Sequence, residues 1–202
     1  MMKFLTGAVA ALALTSAVAV TEAKAETTFA GSTQGCFGVA CVPSMTLVST
    51  GGLGFTGSNF QGTTSNNFLA IGGVLTNFGT FALGPQTQVY DGVSFTLRVT
   101  FTLPTGTTPG NTTTTALLTG SVSNLVNGGV TIDFDNTPMS FSFPGGGFTL
   151  TLNDISVFAN RTQDINGSIR ATPGPVAGAG LVALLGLAGA GFAARRRQQN
   201  AA

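Results

Sequence analysis

The sequence predicts an all-β protein, an antiparallel β-sandwich of jelly-roll-like type, and three observations carry that prediction. Val93, Phe95, Leu97, Val99, Phe101 and Leu103 alternate without a slip with Ser94, Thr96, Arg98, Thr100 and Thr102, the period-two pattern of a strand with one face in a core and the other in water. Clusters of Gly and Pro separate such runs at roughly 8–12-residue spacing, as the turns of an antiparallel sandwich or barrel do. No long stretch between the two ends places apolar residues at i, i+3 and i+4 with caps, so no helix is expected there. The chain has 202 residues, with 29 Gly, 16 Phe, one Tyr and no Trp, a length that allows one domain.

In chain order, residues 1–25 read as an export signal. Lys3 supplies the positive start, Phe4 to Val20 form an apolar stretch, and Ala23-Lys24-Ala25 matches the small-x-small cleavage pattern that frees Glu26. Residues 26–172 are the ectodomain. Cys36 and Cys41, the only cysteines, read as one disulfide closing a small loop in an oxidising compartment. Ser49–Gly73 is the loosest stretch, loops joining short strands, yet Phe55, Phe60, Phe68, Leu69 and Ile71 make it too apolar for disorder. Val93–Leu103 is the long strand. Ile132 and Phe134 flank Asp133, Phe141 and Phe143 flank Ser142, and Phe148, Leu150 and Leu152 alternate with Thr149 and Thr151. Turns are expected at Pro104-Thr105-Gly106, Pro109-Gly110-Asn111, Asn127-Gly128-Gly129 and Pro144-Gly145-Gly146-Gly147. Phe fills the core, and outward Thr suits strand geometry through its β-branching.

Residues 173–202 are a second address. Val176 to Ala194 holds no charged or strongly polar residue and is long enough to cross a bilayer as a single transmembrane helix. Pro173-Gly174-Pro175 precedes it and Arg195-Arg196-Arg197 follows. Positive charge beyond the span holds that end in the cytoplasm and leaves the ectodomain outside.

The absence of His removes Ser-His-Asp and Cys-His nucleophile systems, histidine-ligated metals and the usual near-neutral proton shuttle. The net charge is +1 with no basic run in the middle, which argues against nucleic acid as a partner. Only 7% of residues are charged, which leaves strand edges poorly protected and makes self-association an expectation.

Asp133 and Asp135 lie two apart on a strand, so they share its outward face, and Asn136 follows them. Oxygen ligands so placed suit Ca²⁺, which takes six to eight of them. Two carboxylates at this spacing also fall within the range glycosidases use. The structural alternative is a solvated strand face ending in an Asn-Thr-Pro turn. Asn153 and Asp154, between Leu152 and Ile155, read as a bulge or tight turn. Outward Arg98 reads as a solubilising group. The glycine-rich turns lack the strand–loop–helix setting of a phosphate cradle, so no cofactor beyond a calcium ion is expected. Asn111, Asn160 and Asn166 open N-glycosylation sequons, to which no role is assigned.

The stretch Ala171-Thr172-Pro173-Gly174-Pro175-Val176-Ala177-Gly178-Ala179-Gly180, followed by Phe192-Ala193-Ala194-Arg195, resembles the C-terminal sorting signal of PEP-CTERM proteins. The resemblance implies an exosortase-like sorting enzyme as partner and an inner-membrane intermediate held by the C-terminal helix. Release to the cell envelope, cell surface or extracellular space would follow. The departure is Gly174, where the family name implies Glu, and it bears on which enzyme processes the signal. The middle is similar to the exported β-modules called choice-of-anchor domains, on Val130-Thr131-Ile132-Asp133-Phe134-Asp135-Asn136-Thr137-Pro138 and Leu152-Asn153-Asp154-Ile155-Ser156-Val157. Together these imply a non-enzymatic surface or matrix protein associated with exopolysaccharide or biofilm. A calcium-dependent carbohydrate-binding module anchored at the envelope is the second expectation, although sugar platforms favour the Trp and Tyr that this chain largely lacks. A hydrolase is the third.

Overall fold

Strand-forming patterns account for all the regular structure in the computed structural model, which describes residues 26–73, 76–123 and 126–174. The expected export signal, with Ala23 and Ala25, lies outside the described residues, as do Pro175, the expected span Val176–Ala194 and Arg195–Arg197. Among the described residues there is no helix, and hence none long and apolar enough to cross a membrane. The strands are β1 (Thr28–Phe37), β2 (Val48–Thr50), β3 (Leu53–Thr56), β4 (Asn59–Thr63), β5 (Phe68–Ile71), β6 (Thr80–Leu83), β7 (Gln88–Val89), β8 (Ser94–Leu103), β9 (Asn111–Ser123), β10 (Val126–Phe134), β11 (Met139–Phe143), β12 (Gly146–Leu152), β13 (Ile155–Phe158), β14 (Arg161–Asp164) and β15 (Gly167–Pro173).

Every pairing is antiparallel. A seven-stranded sheet runs β13-β10-β9-β8-β1-β4, with β7 also on β9. Two four-stranded sheets run β11-β12-β15-β5 and β14-β6-β3-β2. They are tied together where β14 passes into β15: the Ile165 N–H donates to Gly79 O (2.8 Å), and the Phe78 N–H donates to Ile165 O (3.0 Å).

One core lies between the large sheet and the two small ones, an arrangement compatible with a sandwich. Strand β8 shows why. Its inward residues Phe95, Leu97, Val99 and Phe101 are buried while Thr96, Arg98 and Thr100 are half-buried on the outer face. The Phe95 ring meets Phe55 of β3 and Phe81 of β6, each at 4.9 Å between centroids. Phe101 meets Phe148 of β12 at 4.8 Å and Phe141 of β11 at 5.0 Å. These edge-to-face contacts add to the burial term. Room for them comes from β1, where a Cβ on Gly35 would lie 2.5 Å from Phe55 and 2.6 Å from Phe95.

Two sequence expectations need correction. Asn127-Gly128-Gly129 is not a turn but part of β10, whose register with β9 shifts between Val126 and Gly129. A Cβ on Gly128 would collide with the Ser121 carbonyl oxygen, so glycine serves close backbone approach at a bulge rather than chain reversal. The alternation of β8 ends early: Thr102 and Leu103 are both exposed, because the register with β1 shifts between Ala30 and Gly31. The last strand runs through Pro173, which stands opposite Gly146 of β12. The Pro144-Gly145 turn, the burial of Ile132 and Phe134, and the alternation of β12 are as the sequence predicts.

Phe148 touches Phe29, Phe101 and Phe141 within 4.8 Å, so Phe148→Ala should lower the unfolding free energy by about 3–5 kcal/mol. Phe158→Ala, at a largely exposed site, should stay within about 0.5 kcal/mol of wild type. Denaturant midpoints of the two variants check both.

Candidate functional site

The carboxylates singled out in the sequence gather where β10 leaves the large sheet. β13 pairs with β10, Ile155 standing opposite Ile132, and this brings the preceding residue, Asp154, beside the end of β10. Asp154 Oδ1 accepts the Phe134 N–H (2.9 Å), and its Oδ2 accepts the Asn136 side-chain amide (3.1 Å). Asp135 Oδ1 accepts the hydroxyl (2.6 Å) and the backbone N–H (3.0 Å) of Thr137. The hydroxyl first, and the amide second, hold the Asp135 carboxyl below the ordinary aspartate value. Its folded-state proton affinity is therefore the weaker one. The associated stabilisation is present above the unfolded aspartate pKa and fades as pH falls through the lowered folded value; full exposure keeps it small.

Asp133 is exposed on β10 opposite Leu117 of β9. The structure thus puts Asp135, Asn136 and Asp154 into one hydrogen-bonded corner. Among the described residues, no group of three or more His, Cys, Asp or Glu side chains could hold a metal ion. Both Asp154 oxygens and Asp135 Oδ1 already accept hydrogen bonds, whereas Ca²⁺ demands six to eight oxygens. What the arrangement does is cap backbone: it fixes the outgoing end of β10 and the link from β12 to β13. Sequence reasoning placed Asp154 in a turn but not its partner, which lies 20 residues away.

The first residues of the sorting-like signal belong to the folded part. Pro173 is the last residue of β15, and the Gly174 N–H donates to Gly145 O (2.9 Å). A Cβ on Gly174 would lie 2.9 Å from Gly145 O, and one on Gly146 would lie 2.5 Å from Thr172 O. The end of β15 and the Pro144-Gly145 turn approach too closely for side chains, so packing alone gives a reason for glycine where the resembling pattern carries Glu.

Cys36 and Cys41 form the disulfide expected of them, with Cα atoms 5.8 Å apart. The bridge closes a loop at the end of β1 that displays Val39, 94% exposed. That loop is at the far pole from both ends of the described chain. Thr27 and Thr64 are joined by reciprocal backbone and side-chain hydrogen bonds, and the Ala171 N–H donates to Asn67 O (2.8 Å). Residues 27, 64–67 and 171–174 therefore share one pole. Arg98 lies on the outer face of β8 with its Nε buried and unpartnered among the described residues. Tyr90 is buried, its hydroxyl donating to Gly51 O, and burial raises its pKa. No protein-family model, no curated protein and no solved structure matches the chain.

Replacing Asp154 with Ala leaves the Phe134 N–H without its acceptor and should cost about 1–3 kcal/mol. Thermal melts should show the same loss with calcium and with chelator. A fall in the wild-type midpoint on chelation would instead indicate a bound cation. Gly174→Glu and Gly174→Ala should each destabilise the end of β15 by about 1–3 kcal/mol through overpacking. Faster hydrogen exchange at the Ala171 and Thr172 amides would report it, and unchanged protection would sink the packing argument.

Proposed function

We propose that this is an exported, non-enzymatic protein of the cell envelope or extracellular matrix, its ectodomain a jelly-roll-like β-sandwich. It is sorted through the PEP-CTERM-like segment 173–202 by an exosortase-like enzyme and associates with exopolysaccharide or biofilm. The observation that carries the reading is the layout of the chain ends. The last strand runs directly into Pro173-Gly174, and the N-terminal strand starts at the same pole. A membrane-held C-terminus would therefore hold the disulfide loop at the pole away from the bilayer. The Cys36–Cys41 bridge supports an oxidising destination, and zero His supports a role without acid–base catalysis. Weakly charged strand edges support self-association in the matrix.

Fractionation and intact mass of the native protein from its host test this reading, with and without the Arg195–Arg197 cluster. The expected mature form begins at Glu26, ends near Pro173–Pro175 and lies outside the inner membrane. Loss of the arginines should leave the C-terminal segment attached. A wild-type form that keeps Val176–Ala202 and stays in the inner membrane would overturn the sorting assignment.

A further inference from the structure

Strands β4, β1 and β8 lie side by side, and their registers set two outward rows of side chains. Asn59 and Thr100 stand opposite Ser32, and Gln61 and Leu103 stand opposite Ala30. Ala30 is the shortest side chain among them. The register shift in β8 leaves exposed Thr102 beside it, where regular pairing would continue the alternation. A short side chain between longer ones makes a trough about 10 Å wide from β4 to β8, with rows about 7 Å apart along the strands. The resulting depression has a volume of about 390 Å³, with Ser32, Asn59, Gln61, Thr76 and Thr102 around Ala30.

Its polar side chains are two carboxamides and three hydroxyls, beside the apolar Ala30 and Phe60, with no charged group. Carboxamides present donors and acceptors together, and hydroxyls do both. None of these five side chains hydrogen-bonds to another described residue. Two hydroxyl pairs elsewhere on the same sheet bond internally, Thr28 with Thr63 (2.9 Å) and Thr131 with Ser156 (3.1 Å). Phe60 contributes to the lining but is 2% exposed, so no ring face is offered for stacking. An anionic polymer gains no Coulomb attraction here, whereas the hydroxyls of a neutral sugar find complementary partners across the trough.

We propose that this trough is a binding site for a neutral polysaccharide, weak per site and strengthened by avidity along a repeating polymer. It rests on the matrix reading for the source of the polymer and requires no calcium. The test is affinity electrophoresis of the full chain in mild detergent, through gels cast with dextran, with galactomannan or with the acidic polyuronate alginate. Retardation by a neutral polymer is expected. The Asn59→Ala/Gln61→Ala double variant and Ala30→Gln, each checked by its melting midpoint, should weaken binding about tenfold. Asp133→Ala and added chelator should change nothing. Three results overturn the proposal: no retardation in either neutral gel, retardation by alginate alone, or folded trough variants that bind like wild type. Protein found outside the inner membrane but unretarded would reject the trough while leaving the sorting assignment standing.

Discussion

Two phenylalanines of one strand join the whole structure. Phe95 presses on β3 and β6, and Phe101, six residues along β8, presses on β11 and β12. Both small sheets are thereby fixed to the same strand of the large one. Bulk elsewhere is arranged around these contacts: glycine at 35 clears space for rings, and Phe60 bridges toward Phe78 and Phe101. With almost no charge and no helix among the described residues, the interlocked rings carry the order of the core.

The parts legible in the sequence were those governed by local period. The alternations in β8, β10 and β12 announced their buried faces because a residue's side of a strand depends only on parity. Bulges defeated the same logic. Glycines at 128 and 129 look like a turn because turn and bulge ask for the same backbone freedom, and only the neighbour, the carbonyl of Ser121, tells them apart. Thr102 and Leu103 left the pattern for a similar reason, since the shift lies in their pairing with Ala30 and Gly31. The Asp135 and Asn136 cluster was legible as a group of oxygens, but not its use, because the Asp154 that completes it arrives from another hairpin. The trough was invisible: Ala30, Gln61 and Thr102 are far apart in the chain, and nothing local marks an unspent carboxamide.

Low charge has a physical counterpart in how the polar groups are used. At the β10 corner, carboxylates cap backbone N–H groups rather than facing solvent alone. Thr33, fully buried, bonds Ser58 through backbone and side chain. The hydroxyls of buried Thr33 and Thr64 are thus satisfied within the fold, as a water-poor interior requires. Among those left over, Ser32, Thr76 and Thr102 line the trough on the outer face of the large sheet, where a ligand rich in hydroxyls would replace water with little change in the count of hydrogen bonds.

The placement of β15 also sets how the protein meets mechanical load. This strand is flanked on both sides, with seven residue pairs to β12 and four to β5, and the chain leaves from its end. Tension between Gly174 and the remote disulfide loop acts along the strand axis, so these ladders are sheared together rather than peeled one bond at a time. A module tethered there resists detachment best when the pull comes along that axis from the disulfide-loop pole.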